Sequence, residues 1–378
     1  MITREMISTG NELSAIAAID AGCMFFGGYP LTPSSEIMHV ISDLLPEIGG
    51  AAIQMEDEIA GICCVIGASM SGVRVLTATS GPGVSLKAEN LGLAQMTETP
   101  LVLINVMRGG PSTGLPTRVS QGDVLQAKNP SHGDYKSITL CAGNLAECYT
   151  EVVRAFNLAD RFMQPVIVLT DETLGHMHGK AIVPTAEAVK AGIVPRKKFE
   201  GPANEYFPYG CEHDEPATLN PMFEGYRYHF TGLHHDKNGF PTEEIETCRK
   251  LIQRLEDKVE LHKDEIELNE EYMMEDAEVM IIAYGSVSLA AKEAIRHLRA
   301  EGIKAGLFRP ITLWPSPATR IKYFTDKIKN VLCVELNIKQ YTAEVERVSS
   351  RLDLEGLYKV NGRAISPHEI VAKVKEVF

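Results

Sequence analysis

Five short, mostly apolar runs constrain this chain more than any other feature: Cys23–Gly27, Ala51–Met55, Val73–Ala78, Pro100–Met107 and Pro165–Thr170. Each has the length of a strand, and segments of helical period lie between them. Strands apolar along their whole length must be covered on both faces, which implies a parallel sheet with helices on either side. Open sheets of this kind bind ligands beyond the carboxyl ends of their strands. Three turn-rich loops should therefore share one rim: Gly28-Tyr29-Pro30-Leu31-Thr32-Pro33-Ser34-Ser35, Met55-Glu56-Asp57-Glu58, and Thr79-Ser80-Gly81-Pro82-Gly83. Glu58 is expected on that rim.

Cap and stop signals place the helices. Residues 9–22 open on Thr9-Gly10-Asn11 and end in glycine. Ser34 or Ser35 can cap a helix over Glu36–Leu45, and Asp57 or Glu56 one over Asp57–Ser69. Helices are also expected over Val84–Met96 and Leu145–Arg161. The loop Arg108–Thr117 is long, and long loops inside compact domains are usually functional. Residues 195–245 are rich in Pro, Gly, His and aromatic side chains and have no sustained period, whereas 243–267 is charged and helical. A second α/β unit follows: strand Val279–Tyr284, helix Val287–Ala300, strands Ala305–Phe308 and Asn330–Glu335, and helices near 341–352 and 367–376. The expected division is 1–190, an irregular linker or insertion over 191–270, and 271–378.

The formal charge of −13 over 378 residues argues against binding to nucleic acid or to an anionic membrane surface. No apolar run reaches the roughly 20 residues that span a bilayer. The N-terminus lacks a signal sequence, so a cytoplasmic protein is expected. Eight cysteines are scattered with no Cys-x-x-Cys pair. Neither His176-Met177-His178 nor His234-His235 has a second liganding cluster, so no metal site is expected in this chain alone.

Among the rim residues, the hydroxyls of Thr32, Ser34 and Ser35 beside a helix start suit a carboxylate or phosphate, although such loops are also ordinary turns. Glu56, Asp57 and Glu58 suit the first turn of a helix by charge alone; chemistry requires one of them to face the crevice. Thr79–Gly83 lacks the Lys-[Ser/Thr] ending of a P-loop. Arg108, at the end of an apolar strand and before two glycines, can present its fork to a carboxylate; a surface ion pair is the alternative. Gly110-Pro111-Ser112-Thr113-Gly114 matches G-x-S-x-G, but no helix follows the serine, so a nucleophile elbow is not expected.

Taken together and in order, several motifs resemble the α subunit of the 2-oxoacid:ferredoxin oxidoreductases, most of all the 2-oxoglutarate branch. They are the Gly28–Ser35 loop, Met55-Glu-Asp-Glu-Ile-Ala60, Thr77–Gly83, Arg108–Thr117 and Phe308-Arg-Pro-Ile-Thr-Leu-Trp-Pro315. The resemblance implies an α/β chain with a pyrimidine-type thiamine diphosphate-binding domain followed by a transketolase C-terminal-like domain. It implies a thiamine diphosphate site shared with a β subunit that also carries Mg2+ and a [4Fe-4S] cluster. A γ subunit, a ferredoxin-like δ subunit, coenzyme A as co-substrate and an external ferredoxin or flavodoxin complete the expected system. By position, Glu58 matches the catalytic glutamate that hydrogen-bonds the aminopyrimidine, and Pro30 a cofactor contact. Thr32, Arg108 and Thr117 match positions that hold the oxoacid. Arg118, Lys128 and His132 are candidates for its distal carboxylate. One departure stands at Asn337-Ile338-Lys339-Gln340, where the family pattern has glycine in place of Lys339. Pyruvate or branched-chain oxoacids as substrates, and a non-catalytic scaffold, are the competing readings.

Overall fold

A computed structural model describes residues 2–352 and 354–378. The strands are β1 Thr3–Thr9, β2 Cys23–Gly28, β3 Ala51–Gln54, β4 Arg74–Thr79, β5 Leu101–Met107, β6 Ile138–Cys141, β7 Pro165–Asp171 and β8 His178–Pro184. In the second half follow β9 Asn269–Tyr272, β10 Val279–Ile282, β11 Ala305–Pro310, β12 Thr312–Trp314, β13 Asn330–Glu335 and β14 Glu355–Tyr358. The first sheet has seven strands in the order β12-β6-β7-β5-β4-β2-β3, parallel throughout except for β12. The second has five, in the order β14-β13-β10-β11-β9, with β9 antiparallel. β1 and β8 pair with each other outside both sheets.

The helices that shape the rim are α1 Gly10–Asp20, α2 Ser35–Leu44, α3 Glu58–Met70, α4 Gly81–Met96, α5 Val124–Lys128 and α6 Leu145–Phe162. Thr9 and Glu12 form a reciprocal capping box on α1, satisfying two of the N–H groups that a helix start leaves free. α4 begins three residues before the expected Val84, because Pro82 fits the first turn, where its missing N–H loses nothing. Ser34 precedes α2, but its hydroxyl donates to the Leu31 carbonyl (2.7 Å) instead of capping the helix.

One apolar core lies between the first sheet and α1, α2 and α6. A second runs without a break from α3 and α4 to Met280, Phe308, Trp314 and Tyr341, so the two sheets share it. Polar contacts reinforce the junction. Arg309, 3% exposed, binds both carboxylate oxygens of Glu147 (2.6 and 2.7 Å) and Glu270 (2.7 Å). Gln121 exchanges hydrogen bonds with Leu336 and donates from Nε2 to the Tyr284 carbonyl, and Asn337 donates to the Gln121 carbonyl at 2.8 Å.

Residues 193–244 carry only a 3-10 turn at Ala203–Glu205 and one isolated bridge, His235 to Pro241. This excursion seals the edge of the sheet opposite the rim. Glu98, fully buried after α4, accepts from Ala217 N (3.0 Å) and Lys258 Nζ (3.1 Å) and pairs with Arg254.

Candidate functional site at the sheet rim

The three acids before α3 take three different positions. Glu56 is exposed; Asp57 is the N-cap and accepts from Ala60 N at 2.8 Å; Glu58 is 5% exposed. Capping by Asp57 leaves the side chain of Glu58 to turn toward α4. It lies over Gly83, where an added Cβ would stand 2.8 Å from Glu58 Oε1 and would also collide with Thr79 Oγ1. Any larger residue at 83 would displace the carboxylate. Gly28 and Gly61 allow α3 to close on β2: a Cβ on Gly61 would be 3.2 Å from the Gly28 Cα.

Arg108 ends β5 and is 6% exposed. Its Nη1 donates to the Thr32 carbonyl (2.5 Å) and its Nη2 to the Thr113 carbonyl (3.3 Å), while Nε has no partner. Among the described residues no carboxylate lies within 4.0 Å of it. Burial pulls its pKa below the ordinary value, opposed by the charges of Asp123 and Glu58. Asp123 accepts from Asn105 Nδ2 at 3.0 Å, and burial raises its pKa. The 109–118 loop closes on itself through Leu115 N to Gly109 O (2.7 Å) and Gly109 N to Arg118 O (3.0 Å). Gly362 of the second unit packs on its Leu115 and Arg118.

These elements enclose a cleft of about 780 Å³, lined among others by Gly81, Arg108, Ser112, Asp123, Asn337 and Gly362. Buried polar atoms without partners gather at this end of β4 and β5: Thr79 Oγ1, Ser80 Oγ, Asn105 Oδ1 and Arg108 Nε. Such atoms call for a ligand or water. Of the residues expected at the site, Arg108 lines this cleft; Thr32 meets it only through the carbonyl bonded to Arg108, and Glu58 lies outside the lining, over Gly83. Thr117 is exposed on the loop and Pro30 half-buried directly after β2, and neither lines the cleft. None of the three candidates for a distal carboxylate lines the cleft, although Arg118 packs on Gly362 at its wall. Lys128 pairs with Glu344 (3.2 Å) and lies 4.2 Å above the Trp314 ring, while Arg118 and His132 are exposed.

Sequence reasoning missed Asp123, Asn105 and Lys87. Lys87 is fully buried and donates from Nζ to the carbonyl of Glu58 at 3.1 Å. Its spacing of four from Gly83, one helical turn, was the available signal.

Residues 16–254 match the thiamine diphosphate-binding domain described as pyruvate flavodoxin/ferredoxin oxidoreductase, and residues 277–370 match pyruvate:ferredoxin oxidoreductase core domain II. A split-gene transketolase has the same fold across 98% of this chain, with a TM-score of 0.54 at 14% identity. The two α/β sheets and the rim thus define a chain of the thiamine diphosphate enzyme class. It belongs to the pyruvate flavodoxin/ferredoxin oxidoreductase family, whose chains act as subunits of larger oxidoreductases. It is 43% identical over 375 residues, 99% of both chains, to the 2-oxoglutarate synthase subunit KorA of Methanothermobacter marburgensis. A solved 2-oxoglutarate:ferredoxin oxidoreductase from Magnetococcus marinus, with 2-oxoglutarate, coenzyme A and succinyl-CoA bound, superposes with a TM-score of 0.90 at 33% identity. The match covers 98% of this chain and 65% of that one. No helix among the described residues is long and apolar enough to cross a membrane.

Proposed function

We propose that this chain is the catalytic α-type subunit of a cytoplasmic 2-oxoglutarate:ferredoxin oxidoreductase. The reaction is oxidative decarboxylation of 2-oxoglutarate to succinyl-CoA and CO2, with electrons passed to ferredoxin. The observation that carries this reading is the 43% identity, along 99% of both chains, to a 2-oxoglutarate synthase subunit. The guanidinium of Arg108, which lines the cleft with no carboxylate paired to it among the described residues, and the buried acid Glu58 behind it over Gly83 support it.

Thiamine diphosphate fits the residues present: the Thr79 and Ser80 hydroxyls without partners, and the buried Glu58, whose carboxylate is admitted over Gly83. When bound it supplies the electron sink that decarboxylation of a 2-oxoacid needs. Glu58 would hydrogen-bond the pyrimidine nitrogen, and Pro30 is assigned to the ring by position in the sequence alone. Arg108 would orient the oxoacid carboxylate through charge-assisted bonds; Thr32 and Thr117 are assigned to its carbonyl by position in the sequence alone, neither lining the cleft. A β subunit supplies the diphosphate- and Mg2+-binding half and a [4Fe-4S] cluster. γ and ferredoxin-like δ subunits complete the complex, with coenzyme A as acyl acceptor and an external ferredoxin or flavodoxin as electron acceptor. In this reading 1–190 is the pyrimidine-type domain, 191–270 a linker and 271–378 the transketolase C-terminal-like domain.

The test is turnover of the purified complex with a low-potential acceptor on 2-oxoglutarate, pyruvate and branched-chain 2-oxoacids. Good turnover of pyruvate with none of 2-oxoglutarate would overturn the substrate assignment. Glu58→Gln is expected to leave assembly intact and remove nearly all turnover; a fully active variant complex would select a scaffold role.

A further inference from the structure

Lys87 is a buried cation to which the chemistry above gives no task. It sits in the second turn of α4, fully enclosed, and Nζ lies 3.5 Å from where a Cβ on Gly61 would be. Its one hydrogen-bond partner is the main-chain carbonyl of Glu58, and among the described residues no carboxylate comes within ion-pairing distance. Burying an ammonium without a paired anion is unfavourable, and an apolar residue of similar length would serve stability better. A side chain retained against that penalty, on the element beside the rim, calls for a functional account.

Resting on the function proposed above, we infer that Lys87 is a positioning residue for Glu58. One face of α4 carries in succession Gly83, whose missing side chain admits the Glu58 carboxylate, and Lys87, whose ammonium grips the Glu58 carbonyl. The acid is thereby held at both ends of the residue, and the first turn of α3 cannot rotate without breaking a buried bond. The charged or titratable groups that act on Lys87 are Glu58, Asp57 and Cys63, all on α3 or its cap. They attract the ammonium, while burial pulls its pKa from 10.5 down to about 8.

The experiment is a double-mutant cycle in the assembled complex with Lys87→Met, Glu58→Gln and both together. It reads kcat, the oxoacid KM and, by calorimetry, thiamine diphosphate affinity. Lys87→Met is expected to assemble and to unfold at the wild-type temperature or above it. It should keep KM within twofold, lose at least tenfold in kcat and bind thiamine diphosphate at least fivefold more weakly. In the Glu58→Gln background it should change each quantity by less than twofold, because positioning matters only while the acid is present. Should Lys87→Met not assemble, Lys87→Gln stands in for it with the same expected results. Wild-type kcat and affinity, or losses that simply add to those of Glu58→Gln, would overturn the inference for Lys87 alone. Full activity in Glu58→Gln would overturn the functional reading along with it.

Discussion

Replacing Arg108 tests the substrate end of the cleft most directly. Its fork is held by two neutral carbonyls, those of Thr32 and Thr113, with Nε unpartnered and, among the described residues, no carboxylate within 4.0 Å. A bound carboxylate would therefore meet a preoriented, uncompensated cation. A hydrogen bond to a charged group contributes roughly 1.5–3 kcal/mol net. At about 1.4 kcal/mol per factor of ten, Arg108→Ala should raise the 2-oxoglutarate KM by roughly 10- to 150-fold. Arg108→Lys keeps the charge but not the fork, so it should fall between the wild type and alanine. The assay is steady-state turnover of the assembled complex, with oxoacid and coenzyme A varied separately. Loosening of the 109–118 loop alone would disturb both constants, whereas loss of a carboxylate contact should leave the coenzyme A KM within about twofold, well under the effect on the oxoacid. An oxoacid KM unchanged in Arg108→Ala would remove this residue from the site.

Three further outcomes follow from particular contacts. Glu98→Gln leaves Arg254 and Lys258 buried without their anion and should destabilise the chain by about 3–5 kcal/mol in urea unfolding; a change under about 1 kcal/mol would contradict this account of how the excursion is held. Lys339 has φ +62, the left-handed conformation that glycine adopts without strain, and its side chain is tied to Glu346 at 2.7 Å. Both Lys339→Gly and Lys339→Ala lose that pair, so the glycine variant should be the more stable of the two by roughly 1 kcal/mol. Lys87 binds its proton more weakly folded than unfolded, so the unfolded chain holds more protons between pH 8 and 10.5. Its penalty is then complete below pH 8 and is relieved as pH rises through that window, by at most roughly 3 kcal/mol. Urea unfolding at pH 7.5 and pH 10 should show this rise in the wild type beyond that of Lys87→Met, and parallel curves would refute it.

Legibility in the sequence followed how local the determinants were. Helix Val287–Ala300 and strand Asn330–Glu335 appear with the expected boundaries, and α1 lies where its capping residues point. β1 and β8 were not foreseen. Their partners are some 170 residues apart, and their outer faces expose Ile7 and Ile182, so neither reads as a buried run. β6 and β12 are four and three residues long, and β12 crosses from the second half of the chain to the edge of the first sheet. No periodicity reveals such a pairing. At the rim, the places of Glu58 at a helix start and of Arg108 just after a strand were legible because such positions announce themselves in local composition; their roles rest on the proposal above. Lys87 was not, because its meaning lies in a carbonyl 29 residues away. Lys339 shows the reverse case: a departure noticed in the sequence gains its physical meaning only from the backbone angle.

The arginines at the two ends of β4 and β5 are partnered differently: Arg74 is hydrogen-bonded at every nitrogen, whereas Arg108 keeps Nε open. At the start of β4, Arg74 spends its fork on Asp160 (2.7 Å), the carbonyls of Ala21 and Val194, and Asn157. Arg196 binds the other oxygen of Asp160 and the carbonyls of Ser69 and Val73. Every nitrogen of these two guanidiniums has a partner, as suits a network that fastens the excursion to the sheet, although Gln95 Oε1, Gln164 Oε1 and Arg254 Nε at the same end stay unpaired. At the far end of the same strands, Thr79, Ser80, Asn105 and Arg108 each keep a buried atom unpaired, and Lys87 keeps a charge uncompensated. Unsatisfied groups of this kind each carry an energetic penalty of about 1–3 kcal/mol. At the rim the open groups include Arg108, a cation that lines the cleft, and a ligand carboxylate there would remove part of the penalty. The polar groups left open at the rim are therefore best understood as half of a binding reaction.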